Sequence, residues 1–314
     1  MRTSGSTARG LGVCAALGIL TACTSGGSQL APSRSTQSLA SRIAPDAKKG
    51  TLLYISDASD SFVFIYSYPQ DKVKSALTGF NRPEGLCSDK AGDVWVVNTN
   101  GHNLVEYAHG GTTPIATLSD ANYYPLGCSV DPTTGNLAVS NLYTVDAESG
   151  SVSIYRGAKG TPKNYANAAV FYYFYCGYDD RGNLFVDGQS ASASFAFAEL
   201  PRGGGKLAPV TLNQTIAYPG GVQWDGKYVA VGDRDENVIY QFAVTGRAGT
   251  EIGSTPLQGA NQVSQFFIQG KNVIGPEAGL NDVGIWKYPA GGAPAKTIGG
   301  FEVPNGAAIS ESPP

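Results

Sequence analysis

Few residues of this 314-residue chain have the means to do chemistry, because it holds only two histidines and five cysteines. His102 and His109 flank the strand-like segment Asn103–Tyr107. A strand between them sets them near opposite ends of one element, away from a common metal. They read as satisfied surface histidines. No Ser-His-Asp set can be assembled without one of them, and neither lies near a Gly-x-Ser-x-Gly elbow. No phosphate-cradling loop or dinucleotide fingerprint is present. The shortage of histidine bases also weighs against lyase chemistry.

A second set of polar residues recurs at fixed places: Asp57, Asn98, Asn141, Asp187, Asp233 and, with a shift, Glu277. Each ends a short apolar run. Carboxylate and amide oxygens in a ring would suit calcium, which takes six to eight oxygen ligands. The same residue types cap turns by accepting backbone N–H groups, and turn duty explains why every copy has one. We expect turn duty. Aromatic residues form a third set, with Tyr123 and Tyr124 before one strand, Phe171-Tyr172-Tyr173-Phe174-Tyr175 before another and Tyr218 before a third. Gathered at one mouth, their rings would stack on sugar rings or peptide side chains. The alternative is that they fill gaps in the core.

The elements that must position these residues are repeats. Apolar residues make up 42% of the chain and charged ones 15%, with 41 glycines and one methionine, a mixture for short strands and tight turns. The net charge of −3 comes with no basic block beyond the N-terminus, so nucleic acid is not an expected partner. First strands read Pro83-Glu-Gly-Leu-Cys-Ser-Asp89, Pro125-Leu-Gly-Cys-Ser-Val-Asp131, Tyr175-Cys-Gly-Tyr-Asp179, Pro219-Gly-Gly-Val-Gln-Trp-Asp225, Val263-Ser-Gln-Phe-Phe-Ile-Gln269 and Pro304-Asn-Gly-Ala-Ala-Ile-Ser310. Second strands such as Gly92-Asp-Val-Trp-Val-Val-Asn98 and Gly182-Asn-Leu-Phe-Val-Asp-Gly188 are apolar throughout, which implies burial on both faces. Third strands carry alternating aromatics, and a weaker fourth strand follows.

The folded part begins with a second-type strand at Thr51 and ends with a first-type strand at Pro304–Ser310. These halves complete one unit. The expectation is an all-β, six-bladed β-propeller over residues 50–314, closed by the C-terminal strand. Of the cysteines in the blades, Cys87 and Cys128 lie on first strands of adjacent units and are the preferred disulfide; with Cys176 the number is odd, so at least one stays free or pairs elsewhere. Before the blades, Arg2 and Arg9 flank an apolar run, Leu11–Leu20, too short to span a bilayer and suited to a signal peptide over residues 1–22. The sequence Leu20-Thr21-Ala22-Cys23 resembles a bacterial lipobox, in which Cys23 is lipidated. Residues 23–49, rich in Ser, Thr, Gly and Ala, read as a flexible tether with a reach of roughly 25–30 Å.

The repeat Gly-Asn/Asp-Leu/Val-x-Val-x-Asp/Asn, a polar turn, then x-Ile/Val-x-x-Tyr/Phe, resembles the NHL repeat. It is also similar to the six-bladed group that includes gluconolactonases and the senescence-marker family. That resemblance implies a propeller, and for the enzymes a divalent ion held in the channel by Glu, Asn and Asp. The family's acid would fall in the opening strand, where this chain has Leu52-Leu-Tyr-Ile-Ser56. Glu84 is the nearest substitute by position. The expected function is therefore a non-enzymatic, lipid-anchored propeller of the cell envelope that recognises a protein or glycan, without cofactor. A metal-dependent, lactonase-like hydrolase using the channel, with calcium as its ion, is the alternative. Loops Asn141–Ser149 and Gln189–Ala193 depart from the repeat and are expected to decorate the binding face.

Overall fold

The structure, a computed structural model, describes residues 49–312. The expected signal peptide, Cys23 and the tether as far as residue 48 lie outside the described residues. No helix among the described residues is long and apolar enough to cross a membrane.

The described residues form six small antiparallel sheets in a ring, an all-β six-bladed propeller. Blade one orders Pro304–Ser310, Leu52–Asp57, Phe62–Ser67 and Lys72–Leu77. The tail strand pairs antiparallel with the opening strand, Ala307 against Ile55 and Ile309 against Leu53. Blade two runs Pro83–Ser88, Val94–Asn98, Asn103–Tyr107 and Pro114–Ser119; blade three runs Tyr123–Val130, Leu137–Thr144, Ser149–Tyr155 and Lys163–Tyr165. Blade four has Tyr172–Tyr178, Leu184–Gln189, Phe195–Leu200 and Ala208–Pro209. Blade five has Pro219–Trp224, Val229–Asp233, Val238–Thr245 and Ala248–Pro256, with Thr211–Leu212 added in parallel at its rim. Blade six has Phe267–Gln269, Asn272–Glu277, Asp282–Lys287 and Lys296–Gly299. Its first strand is shorter than the sequence pattern implies, continued only by a bridge from Val263 to Glu277.

The turns explain the repeat. Asp89 Oδ1 accepts the N–H groups of Ala91 and Asp93 at 2.8 and 2.9 Å, and Gly92 turns the chain at φ +82°. Asp179 does the same for Arg181 and Asn183, with Gly182 at φ +85°. An aspartate that folds back onto the next few N–H groups, then a glycine in the left-handed region, reverses first strand into second.

Side chains on a strand alternate between faces, so each second strand feeds two cores. Leu52 and Tyr54 pack toward blade two, whereas Leu53 and Ile55 pack toward blade six. Six buried apolar clusters result, one in each gap between neighbouring blades. One of those gaps holds the Cys87–Cys128 disulfide, whose Cα atoms lie 5.7 Å apart. Cys176 is a buried free thiol in the next gap, pushed up to about 12 by burial.

The centre is set by one register position. Each blade's first strand has a residue just before the one that pairs with the middle of the second strand. It is Gly306, Gly85, Gly127, Tyr175, Gly221 and Gln265 in blades one to six. At Gly306 a Cβ would overlap the Glu84 carbonyl oxygen, and at Gly85 the Leu126 carbonyl oxygen. At Gly221 it would meet the Phe266 nitrogen at 2.9 Å. Glycine there lets neighbouring first strands approach around the axis. We predict that Gly306→Val costs about 3 kcal/mol in urea unfolding, through overpacking against backbone that cannot yield. Gly299→Ala, where a Cβ meets nothing within 4 Å, should stay within about 0.5 kcal/mol of the parent.

Candidate functional site: an aromatic cup over the channel plug

Two of the six central positions carry large side chains, and the glycines make room for them. Gln265 crosses the axis from blade six to blade two, where its amide accepts from Leu86 N and donates to Leu86 O, both at 2.8 Å. It passes over Gly306, whose added Cβ would stand 2.9 Å from Gln265 Oε1. Tyr175 is buried, its ring 3.1 Å from where a Cβ on Gly127 would sit, and its N–H donates to Asp187 at 2.7 Å. Cavities of about 290 and 310 Å³ lie at the two ends of the channel, the first lined by Tyr175 and the second by Gln265.

The first cavity is a cup at the mouth where the first strands begin. Its walls include Arg82, Glu84 and Asn100 from blade two, Tyr124 and Tyr143 from blade three, Phe174 and Tyr175 from blade four, Tyr218 and Arg234 from blade five, and Asn305 from blade one. Glu84 is buried and paired with the half-exposed Arg82 guanidinium. Burial raises its carboxyl above the ordinary value, opposed by Arg82 and more weakly by Arg234. Arg234 also lies over the Tyr218 ring at 5.8 Å and donates to Gln262 Oε1 at 3.3 Å. Burial raises the Tyr175 phenol above its ordinary value, with Arg234 opposing, and a phenol is protonated at neutral pH even without that shift. The plug therefore presents a hydrogen-bond donor and not a base.

An aromatic arc borders the cup. His102 meets Tyr124 at 4.6 Å between centroids, Tyr124 meets Tyr143 at 4.8 Å, Tyr143 meets Tyr172 at 6.3 Å, and Tyr172 meets Phe171 at 4.7 Å. Phe174 and Tyr218 close the far side edge to face at 5.5 Å. Of the tyrosines singled out in the sequence, Tyr124, Tyr175 and Tyr218 line the cup, and Tyr172 stands behind Tyr143. Tyr173 does not belong there: it is fully buried between blades three and four, its hydroxyl accepting from Asn167 N at 2.7 Å. Tyr123 turns outward, where its hydroxyl accepts from Asn164 at 2.9 Å. Arg82, Arg234, Tyr143 and Asn305 escaped the sequence reading. Only Tyr143 carried a signal, since it lies in the loop that departs from the repeat.

Four of the six recurring polar residues, Asp57, Asn98, Asp233 and Glu277, serve turns as expected, whereas Asn141 does not and donates instead to Ser153 at 2.8 Å. Asp57 accepts four backbone N–H groups, from Ser59, Asp60, Glu302 and Val303. Asp233 accepts those of Ala217, Tyr218, Asp235 and Glu236. Asn98 accepts from Asn81 N at 2.6 Å, and Glu277 from Asn261 N at 2.9 Å. Each clamps the approach to a first strand. Asp187 breaks the pattern: the residue at this register in blade four is Gly188, opposite Tyr173, and Asp187 sits one place earlier on the other face. It is fully buried beside the plug, and desolvation raises its pKa well above the ordinary carboxylate range.

The histidines stand apart as the strand between them requires. His102 lies at φ +52°, its Nδ1 2.6 Å from Tyr123 O. His109 is buried, not on the surface, and its Nδ1 binds Ser310 Oγ of the closing strand at 2.6 Å. Asp89, Asp93 and Glu106 bring carboxylate oxygens within 4.8 Å of one another on blade two, outside the cup. Burial and the two aspartates push Glu106 up to about 7.

The family model of the NHL repeat matches residues 80–107, the stretch of blade two that carries Arg82 and Glu84. No curated protein matches the chain. Among solved structures, a chain of the crystal structure of a nidogen/laminin complex superposes with a TM-score of 0.69 at 13% identity, over 84% of this chain and 99% of that one. A protein of unknown function from Bacteroides caccae superposes with a TM-score of 0.62, also at 13% identity, over 83% and 99%. At that identity the likeness is one of fold.

Removing Arg82 should expose what Glu84 costs. We expect Arg82→Gln to destabilise the protein by about 1–2 kcal/mol at pH 7, because a buried carboxylate loses its partner, the effect being moderated by the exposure of Arg82 and by protonation of Glu84. Glu84 is already raised above its ordinary value of 4.5, and losing Arg82 raises it further. The deficit should therefore grow as pH rises through the folded value and fade below 4.5, where both states are protonated. Guanidinium unfolding across pH 3.5–8, with Arg82→Gln/Glu84→Gln as the rescue, measures this; a deficit independent of pH would refute it.

Proposed function

We propose that the protein is a non-enzymatic recognition propeller, exported and lipid-anchored through Cys23, whose cup takes a compact group presented by a protein or glycan. The observation that carries this is the composition of the cup: two guanidiniums, one neutralised carboxylate, a phenol donor and an aromatic rim over a closed floor. Such a set orients a ligand by hydrogen bonds and stacking, with Arg234 available to an anionic substituent. The fold neighbour in a nidogen/laminin complex comes from a protein assembly, which is in keeping with a docking role.

The lactonase alternative is less well supported. A divalent ion needs carboxylate and amide oxygens facing it. In this cup the one buried carboxylate is spent on Arg82, and Arg234 adds positive charge to the same space. The aspartates at the blade ends are engaged by backbone N–H groups.

Glycan arrays and a displayed-peptide library, probed with the wild-type propeller, supply the ligand. Tyr143→Ala and Arg234→Ala should each weaken the selected ligand about tenfold, or roughly 1.4 kcal/mol, with melting unchanged. Ligands bound equally by both variants would refute the cup as the recognition site. Equimolar divalent metal in the purified protein, tracking with chelator-sensitive lactone hydrolysis, would turn the assignment to the hydrolase. Anchoring is tested separately: Cys23→Ala should move the protein from the membrane fraction to the soluble one, and unchanged membrane association would overturn it.

A further inference from the structure

A larger groove, of about 1040 Å³, lies between blades three and four at the turns joining first to second and third to fourth strands. Antiparallel pairing puts these turns on the face away from the cup. Three exposed cations line it, Arg156, Lys163 and Arg202. None of the three forms an ion pair among the described residues, in a chain whose net charge is −3.

The repeat itself places the arginines. In blade three, Asn136 of the Gly-Asn-Leu turn accepts Gly157 N at 2.8 Å, fixing the turn that starts at Arg156. In blade four, Asn183 at the same place in its Gly-Asn-Leu turn accepts Arg202 N at 3.0 Å. Equivalent asparagines on adjacent blades thus fix the backbone at the two turns that carry Arg156 and Arg202, one on each rim. Lys163 rests over the half-buried Tyr165 ring at 4.6 Å, and buried Tyr178 adds a second aromatic to the lining. Asp131 is the one carboxylate in the lining, and it is committed to the side chains of Thr133 and Thr134. Gly203 to Gly205 leave the blade-four rim without side chains.

Charges spread along two rims match several anions in succession better than one converging group. The half-buried Tyr165 ring under Lys163 adds aromatic surface of the kind that suits a sugar ring. We propose that this groove binds an acidic polysaccharide, a chain of uronic acid units. It is independent of the cup: its residues share no member with the cup's lining.

The test uses the whole folded protein, with oligogalacturonate as probe and a neutral oligogalactose of equal length as control, by titration calorimetry at several salt concentrations. Oligogalacturonate should bind, the neutral oligomer should not, and affinity should fall steeply with salt. Arg156→Glu/Arg202→Glu should weaken binding at least tenfold with unchanged thermal melting, while Lys287→Glu on blade six leaves it unaltered. Equal affinity for the neutral oligomer, or an unaffected double variant, would overturn the proposal. So would equally tight binding of a single-stranded DNA of matching charge, which would mean charge alone is read. Loss of binding in Arg234→Ala would move the polysaccharide to the cup and leave the groove without a ligand.

Discussion

The closed ring depends on how near six first strands can come to a common axis. Strands from different blades splay, so they cannot form a continuous ladder there, and contact is made instead by single close approaches of backbone. Glycine at four of the six central positions allows those approaches, and serine hydroxyls stitch several of them. Ser140 Oγ donates to Phe174 O at 2.7 Å, Ser88 Oγ to Ile309 O at 2.7 Å, and Ser56 Oγ to the Glu84 carbonyl. The closing strand gains most from this. It is held by its ladder to Leu52–Asp57, by Ser88, and by His109 at Ser310.

The same constraint creates the site. Four small residues would leave an open bore, and the two exceptions, Tyr175 and Gln265, occupy it. Gln265 spends both amide groups on the backbone of Leu86, so its role is structural. Tyr175 brings its phenol ring to the base of the cup. The arginine–glutamate pair beside it follows from the same geometry. Glu84 lies one place before the central glycine of blade two, so its side chain is buried at the mouth and needs a cation. Arg82 supplies it.

The sequence announced the blades well and the cup poorly, for physical reasons. Blade architecture rests on local patterns that recur, the Asp-x-x-Gly turns, the apolar second strands and the Pro-x-Gly starts, and each copy reinforces the others. Even the complementary half-blades at Thr51 and Pro304 could be read. The cup is made of residues that recur in no other blade, and their meeting depends on which of them point across the axis. Tyr173 and Tyr175 show the difficulty. Two residues apart in one aromatic run, they are parted by an irregularity in pairing between Tyr173 and Cys176, one into the wall between blades and the other into the channel. Asp187 was misplaced by one residue for a related reason, since the polar residue that catches the eye is followed by the glycine that holds the shared register.

Blade three shows how a departure from the repeat becomes a functional surface. In blades one, two, five and six the residue ending the second strand clamps the N–H groups that precede a first strand. In blade three the strands extend to Tyr123–Val130 and Leu137–Thr144, and Tyr123 N is taken by Asp120 O. Asn141, relieved of the clamp, turns to Ser153 at 2.8 Å, which also reaches the buried Asp120. Desolvation raises Asp120 to about 6, with Ser153 and Asn141 opposing, so the polar substitute for a clamp is itself costly. What the longer hairpin gains is reach: it carries Tyr143 two residues past the register at which the second strands of blades two, five and six end, between Tyr124 and Tyr172, and so completes the aromatic arc. Blades three and four, the two that give up the common clamp, together supply Tyr124, Tyr143, Tyr172 and Phe171 to the rim.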